Sequence, residues 1–121
     1  GASSVVLDGT YKSYVFKCIN IHPIDDNVSF QINFRDGGTA YDATKTTTFF
    51  RAFHTEADAT GFGYSTSVDL AQSTSAQYIN WNLGDRYIAG YCNVTAAIDG
   101  VQFSFTGGNI DTGTIKMYGI L

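Results

Sequence analysis

The chain has little of what usually staples or interrupts a small protein. Its 121 residues include one proline, one methionine, one tryptophan and two cysteines. So few prolines leave extended backbone free to pair almost anywhere. Cys18 and Cys92, each inside an apolar, strand-like run, exclude a disulfide framework and carry no metal or redox spacing. Two readings stay open for them, buried free thiols packed as small hydrophobes or a single disulfide. Basic residues are also scarce, seven against eleven acids for a net charge of −4, and they are scattered. A phosphate-backbone binder would need them clustered, so no nucleic-acid partner is expected. No apolar run approaches the roughly 18 residues of a membrane helix. Gly1-Ala2-Ser3-Ser4 lacks the basic and apolar regions of a signal peptide, and a soluble chain without membrane insertion is expected.

What is present points to strands. Hydrophobic residues make up 44% and aromatics 15%, amid abundant threonine, serine, glycine and tyrosine, which favours short strands joined by polar turns over disorder. The length suits one domain over residues 1–121 with its own core. Residues 1–10 could be an N-terminal arm or a first strand. Tyr11 to Ile21 alternates, with Tyr14, Phe16 and Cys18 on one face and Val15, Ile19 and Ile21 on the other, so both faces should be covered for part of its length. His22-Pro23 should end it, and Asp25-Asp26-Asn27 makes a turn. Asn27 to Phe34 places Val28, Phe30, Ile32 and Phe34 inward and Ser29, Gln31 and Asn33 toward solvent. Thr46 to His54 sets Phe49 and Phe53 against Phe50 and Ala52. Thr55 to Ala76 loses the period and reads as a long surface loop with at most one short strand. Tyr78 to Leu83 and Arg86 to Val94 complete the middle.

The closing stretch is the most regular. Val101, Phe103 and Phe105 alternate with Gln102 and Ser104, and Gly107-Gly108 supply a reversal, which predicts a β-hairpin with Thr114 to Ile120. That second arm is apolar on both faces and so should be an interior strand, with Ile115 nearly buried; the alternative is an edge that leaves Tyr118 and Ile120 exposed. Gly119 marks a place where a backbone or a bulky ring approaches. The expected fold is all-β, an antiparallel β-sandwich of jelly-roll type.

Catalytic chemistry finds no foothold in the pattern. His54, Glu56 and Asp58 would share a strand face and could converge on a metal, but they sit where a strand runs into a polar loop, so no metal site is expected. There is no nucleophile elbow, no phosphate loop and no carboxylate pair in an apolar setting. No catalytic residue, metal or cofactor is therefore expected. Asn27-Val28-Ser29 and Asn93-Val94-Thr95 match a glycosylation sequon by pattern alone. Exposed aromatics could stack on sugars: Tyr41, Phe62, Tyr64, Tyr78 and Trp81 are the candidates, with Phe62 and Tyr64 the foremost because they lie in the expected loop.

Several stretches carry a resemblance: Asp8-Gly9-Thr10-Tyr11-Lys12, Phe16 to Pro23, Phe49-Phe50-Arg51-Ala52-Phe53-His54, and Ser104 to Gly108 continuing through Asn109-Ile110-Asp111-Thr112-Gly113-Thr114-Ile115-Lys116-Met117-Tyr118-Gly119-Ile120. In these the chain resembles uncharacterised structural proteins of tailed bacteriophages, many from marine or cyanobacterial hosts. Those relatives have a further stretch where Gly84 here runs into Asp85. The resemblance implies a virion location, as a capsid decoration protein or a tail or fibre component, and transfers no catalytic residue. In that role the surplus of aromatics over what one small core needs, and sheet edges that symmetry mates would protect, lead us to expect a homo-oligomer, a trimer by preference, that also contacts other virion proteins. Its interface is expected at Val5, Val6 and Leu7 or at Tyr118 and Ile120. The alternative is a lectin-like module at a receptor-binding tip, with host surface glycan held by Phe62 and Tyr64.

Overall fold

The computed structural model describes residues 1–64, 68–80 and 85–121, with residue 85 described by its backbone alone. Among these residues the chain forms ten strands and no helix. They are β1 (Ser3–Val6), β2 (Ser13–Pro23), β3 (Phe30–Arg35), β4 (Lys45–His54), β5 (Thr60–Tyr64), β6 (Leu70–Ser73), β7 (Gln77–Tyr78), β8 (Asp85–Cys92), β9 (Gly100–Phe105) and β10 (Ile110–Ile120). Every pairing is antiparallel. The first sheet runs β1-β9-β3-β7, β10 and β2 form a two-stranded ribbon, and β4 centres the third sheet, with β8 on one edge and β5 and β6 in succession along the other. The fold is an all-β antiparallel sandwich.

Its dry centre follows from the alternation of two strands. Phe30 on β3 and Val101, Phe103 and Phe105 on β9 are buried, and Phe16, Ile21, Ile110 and Ile115 of the ribbon pack onto them. The Phe103 ring stacks on Phe30 at 5.8 Å and meets the edge of Phe16 at 5.4 Å. Burying such rings removes apolar surface from water and is the main stabilising contribution here. Phe16 and Ile21 are five residues apart and should face opposite ways on a regular strand. Asn20 adopts a positive φ of 52°, and the ladder with β10 shifts register in the same region, so the strand turns over and both side chains reach the core.

Several expectations need correction. β9 and β10 do not pair as a hairpin. After Phe105 the chain passes through Gly107 and Gly108, the latter at φ 68°, and crosses to the ribbon, where β10 takes β2 as its partner. β10 is not an interior strand, because β2 is its only neighbour among the described strands. Ile115 is half-buried, and Tyr118 and Ile120 are 47% and 48% exposed. The outer face of β2 is likewise uncovered at Val15 and Ile19, although β2 does end at Pro23 as expected. Residues 55–76 hold two strands, β5 and β6, where the sequence predicts a loop with at most one. On β5 the inward positions are Gly61 and Gly63, lying under Phe53 and Arg51, so the alternation is between ring and no side chain at all. Of the two readings left open for the N-terminal segment, the strand is the one found, paired to β9 with Val5 and Leu7 packed against the core. β3 is central, and Asn33 on its outer side is buried, donating to the Thr74 carbonyl at 3.1 Å. Both cysteines are free, and Cys18 is exposed, not buried.

Gly119 meets the expectation set for it. A Cβ there would lie 2.2 Å from the Tyr11 ring, which covers the strand and meets Tyr14 edge-on at 5.9 Å.

Candidate functional site: an aromatic sheet face and an open ribbon

The third sheet turns aromatics toward solvent. Along β4 the side chains alternate, with Lys45, Thr47 and Phe49 facing the first sheet and Thr46, Thr48, Phe50 and Ala52 facing out. Register places Phe50 opposite Tyr87 on β8 and Tyr64 on β5, and Ala52 opposite Phe62. Directly opposed residues of an antiparallel pair share a face, so four rings gather there. Phe50 stacks on Tyr87 at 5.1 Å with 18° between planes, and lies 5.2 Å from Phe62 and 6.1 Å from Tyr64. Phe62 and Tyr64 meet edge to face at 5.2 Å. Phe62, Tyr64 and Tyr87 remain 59%, 65% and 48% exposed, and Tyr91 stands farther along β8. The sequence-predicted pair thus lies on the surface. Phe50 and Tyr87, which complete the cluster, were missed because they come from other strands. Their signal was the outward parity of each within its strand.

The other candidates scatter. Tyr41 is half-buried beneath the Arg35 guanidinium at 5.5 Å, and Tyr78 is half-buried on β7. Trp81 and the junction before Asp85 involve residues outside those described. His54 meets Asp58 at 2.8 Å in an exposed turn, and no group of three metal-ligating side chains gathers among the described residues.

A second surface is the ribbon. Both long edges of β2 and β10 lack a strand partner among the described residues, and the outer face carries Val15, Ile19, Tyr118 and Ile120. Lys17 stands directly opposite Lys116 on that same face. Of the three interface candidates in the N-terminal strand, Val5 and Leu7 are engaged by the core while Val6 is exposed.

Between the first and third sheets lies a cavity of about 360 Å³, walled mainly by Ile32, Phe34, Ile79, Ile88 and Cys92. Lys45, only 1% exposed, stands in its wall and donates to the Ser75 carbonyl at 2.7 Å. Burial drives its pKa below the usual 10.5, because the ammonium loses its hydration there. Burial pushes the Cys92 thiol up, so it stays protonated and is a poor nucleophile. On the far side, Arg35 Nε donates to the Asp99 carboxylate at 3.0 Å, and the Gly37 amide donates to the same oxygen at 3.1 Å. Arg35 holds the Asp99 carboxyl below its usual 3.8. These contacts tie the turn after β3 to the entry of β9.

Compared with models of protein families, with curated proteins and with solved structures, the chain finds no match.

Proposed function

We propose that this chain is a non-enzymatic structural module of a tailed-phage virion, a jelly-roll-like capsid decoration protein or tail or fibre component, that works by assembling with copies of itself and with other virion proteins. The observation that carries the reading is the open ribbon. A two-stranded ribbon whose edges have no strand partner among the described residues, with half-exposed Val15, Tyr118 and Ile120, is a poor ending for a monomer and a ready surface for a neighbour. The resemblance of its sequence to phage structural proteins supplies the virion setting. The expected assembly is a homotrimer, seen by light scattering on purified protein; a monodisperse monomer at micromolar concentration overturns it.

A second reading is favoured by the third sheet. Three rings packed around Phe50, on a face that also carries Thr48 and Thr60, suit a sugar face, since pyranose C–H groups stack on aromatics while hydroxyls find polar neighbours. In that case the module sits at a receptor-binding tip and holds host surface polysaccharide. Binding of the host polysaccharide that is lost on Phe62→Ala and Tyr64→Ala supports this reading; no binding by the parent protein removes it.

A further inference from the structure

The ribbon that carries the assembly reading also holds a cross-strand pair of like charges. Lys17 and Lys116 are directly opposed on the outer face, both exposed, and neither meets a carboxylate among the described residues. Like charges in this position destabilise a ladder, so the pair works against the monomer's own fold. The chain as a whole is acidic, with a net charge of −4. Two uncompensated lysines beside Val15, Ile19 and Tyr118 therefore form a small basic and apolar patch on an acidic protein.

A complementary patch exists on the same chain. Just past β2, Ile24 is 61% exposed and is followed by the exposed acids Asp25 and Asp26 in a bend whose first residue is tied to the start of β10 by the Ile24 amide donating to the Asn109 carbonyl at 3.0 Å. The turn pairs one bare aliphatic side chain with two carboxylates, matching the ribbon's aliphatics and lysines in kind and in charge. Along β2 the two patches lie roughly 25 Å apart, too far for either to serve the other within one molecule.

We propose that the assembly is heterologous: the Ile24-Asp25-Asp26 turn of one copy seats on the Lys17 and Lys116 face of the next. This rests on the assembly reading and deepens it by specifying the partner and the symmetry. An isologous contact, ribbon face to ribbon face, would bring four ammonium groups together and is disfavoured. A head-to-tail contact neutralises each lysine pair and closes into a ring, as a trimer requires, when the rotation permits. Charge complementarity of this kind fixes orientation and excludes wrong registers.

The test uses the full chain, with light scattering and thermal melts on the same samples. Lys116→Glu places opposite charges across the ribbon, so the monomer's melting temperature should rise while the association constant falls at least about tenfold. A variant that merely damaged the fold would move both downward. Asp25→Lys with Asp26→Lys should likewise dissociate the assembly. Combining Lys17→Glu, Lys116→Glu, Asp25→Lys and Asp26→Lys should restore it. Assembly that survives Lys116→Glu unchanged, or that fails to return in the fourfold swap while the fold persists, overturns the heterologous contact and leaves the assembly reading standing. A wild-type chain that is monomeric throughout overturns both.

Discussion

The first sheet and the third sheet use aromatic residues in opposite ways. On β3 and β9 the rings of Phe30, Phe103 and Phe105 point at the ribbon and are buried. On β4, β5 and β8 the rings of Phe50, Phe62, Tyr64 and Tyr87 point away from the molecule, while the inward face keeps only Phe49 and Phe53 as rings, beside Lys45, Thr47, Gly61, Gly63 and Gly90. One sheet is organised by what it excludes from water and the other by what it displays. Aromatic content alone therefore says nothing of stability; parity within the strand decides which role a ring takes.

Substitutions can break or sharpen this contrast. Phe103→Ala should cost about 3–5 kcal/mol in a urea melt, since it empties the space between Phe30 and Phe16. Phe62→Ala should stay within about 1 kcal/mol in the same assay; an equal loss at both sites would mean that the outer rings are core after all. Gly61→Val tests the inner side of the display sheet. Its Cβ would come within 2.4 Å of the Phe53 ring, which sits over the glycine and under the Arg51 guanidinium, and the expected cost is about 1–3 kcal/mol.

Two pH experiments probe smaller effects. The folded-state pKa of Lys45 lies below 10.5, so the unfolded chain binds more protons between the two values and stability should rise with pH across that window. Lys45→Met should flatten that rise, measured by denaturant melts at stepped pH. The Asp99 carboxyl is shifted below 3.8, so its contribution is complete above that value and is lost as pH falls through the lower folded one. Asp99→Asn should remove this part of the acid limb and leave the alkaline limb unchanged.

The strands that alternate side chain against side chain were legible without coordinates. Val101, Phe103 and Phe105 against Gln102 and Ser104 showed both element and facing, whereas Phe49 against Phe50 showed the element and its two faces but not which of them points inward. β5 was hidden because its inward side is Gly61 and Gly63, which hydropathy cannot distinguish from a turn. The parity change at Asn20 was hidden because a positive φ in a polar residue leaves no mark on an apolar pattern. The pairing of β10 with β2 was hidden for a different reason. Gly107 and Gly108 suit a hairpin and a crossing between layers equally well, and the choice is made by the apolar side of β2, far away in sequence. The aromatic face was half legible. Phe62 and Tyr64 could be singled out one at a time, but their grouping with Phe50 and Tyr87 depends on register between three strands.

The pairing of β2 with β10 also sets a timetable for synthesis. β2 leaves the ribosome about ninety residues before the strand that completes it, and β1 and β3 likewise wait for β9. Until then Phe16, Val15 and Ile19 are presented on an unpaired strand, in a topology whose closing contacts span most of the chain. Such a protein folds late and slowly compared with one built from local hairpins, and its nascent form is the stage at which it is most prone to pair wrongly with its neighbours on a polysome.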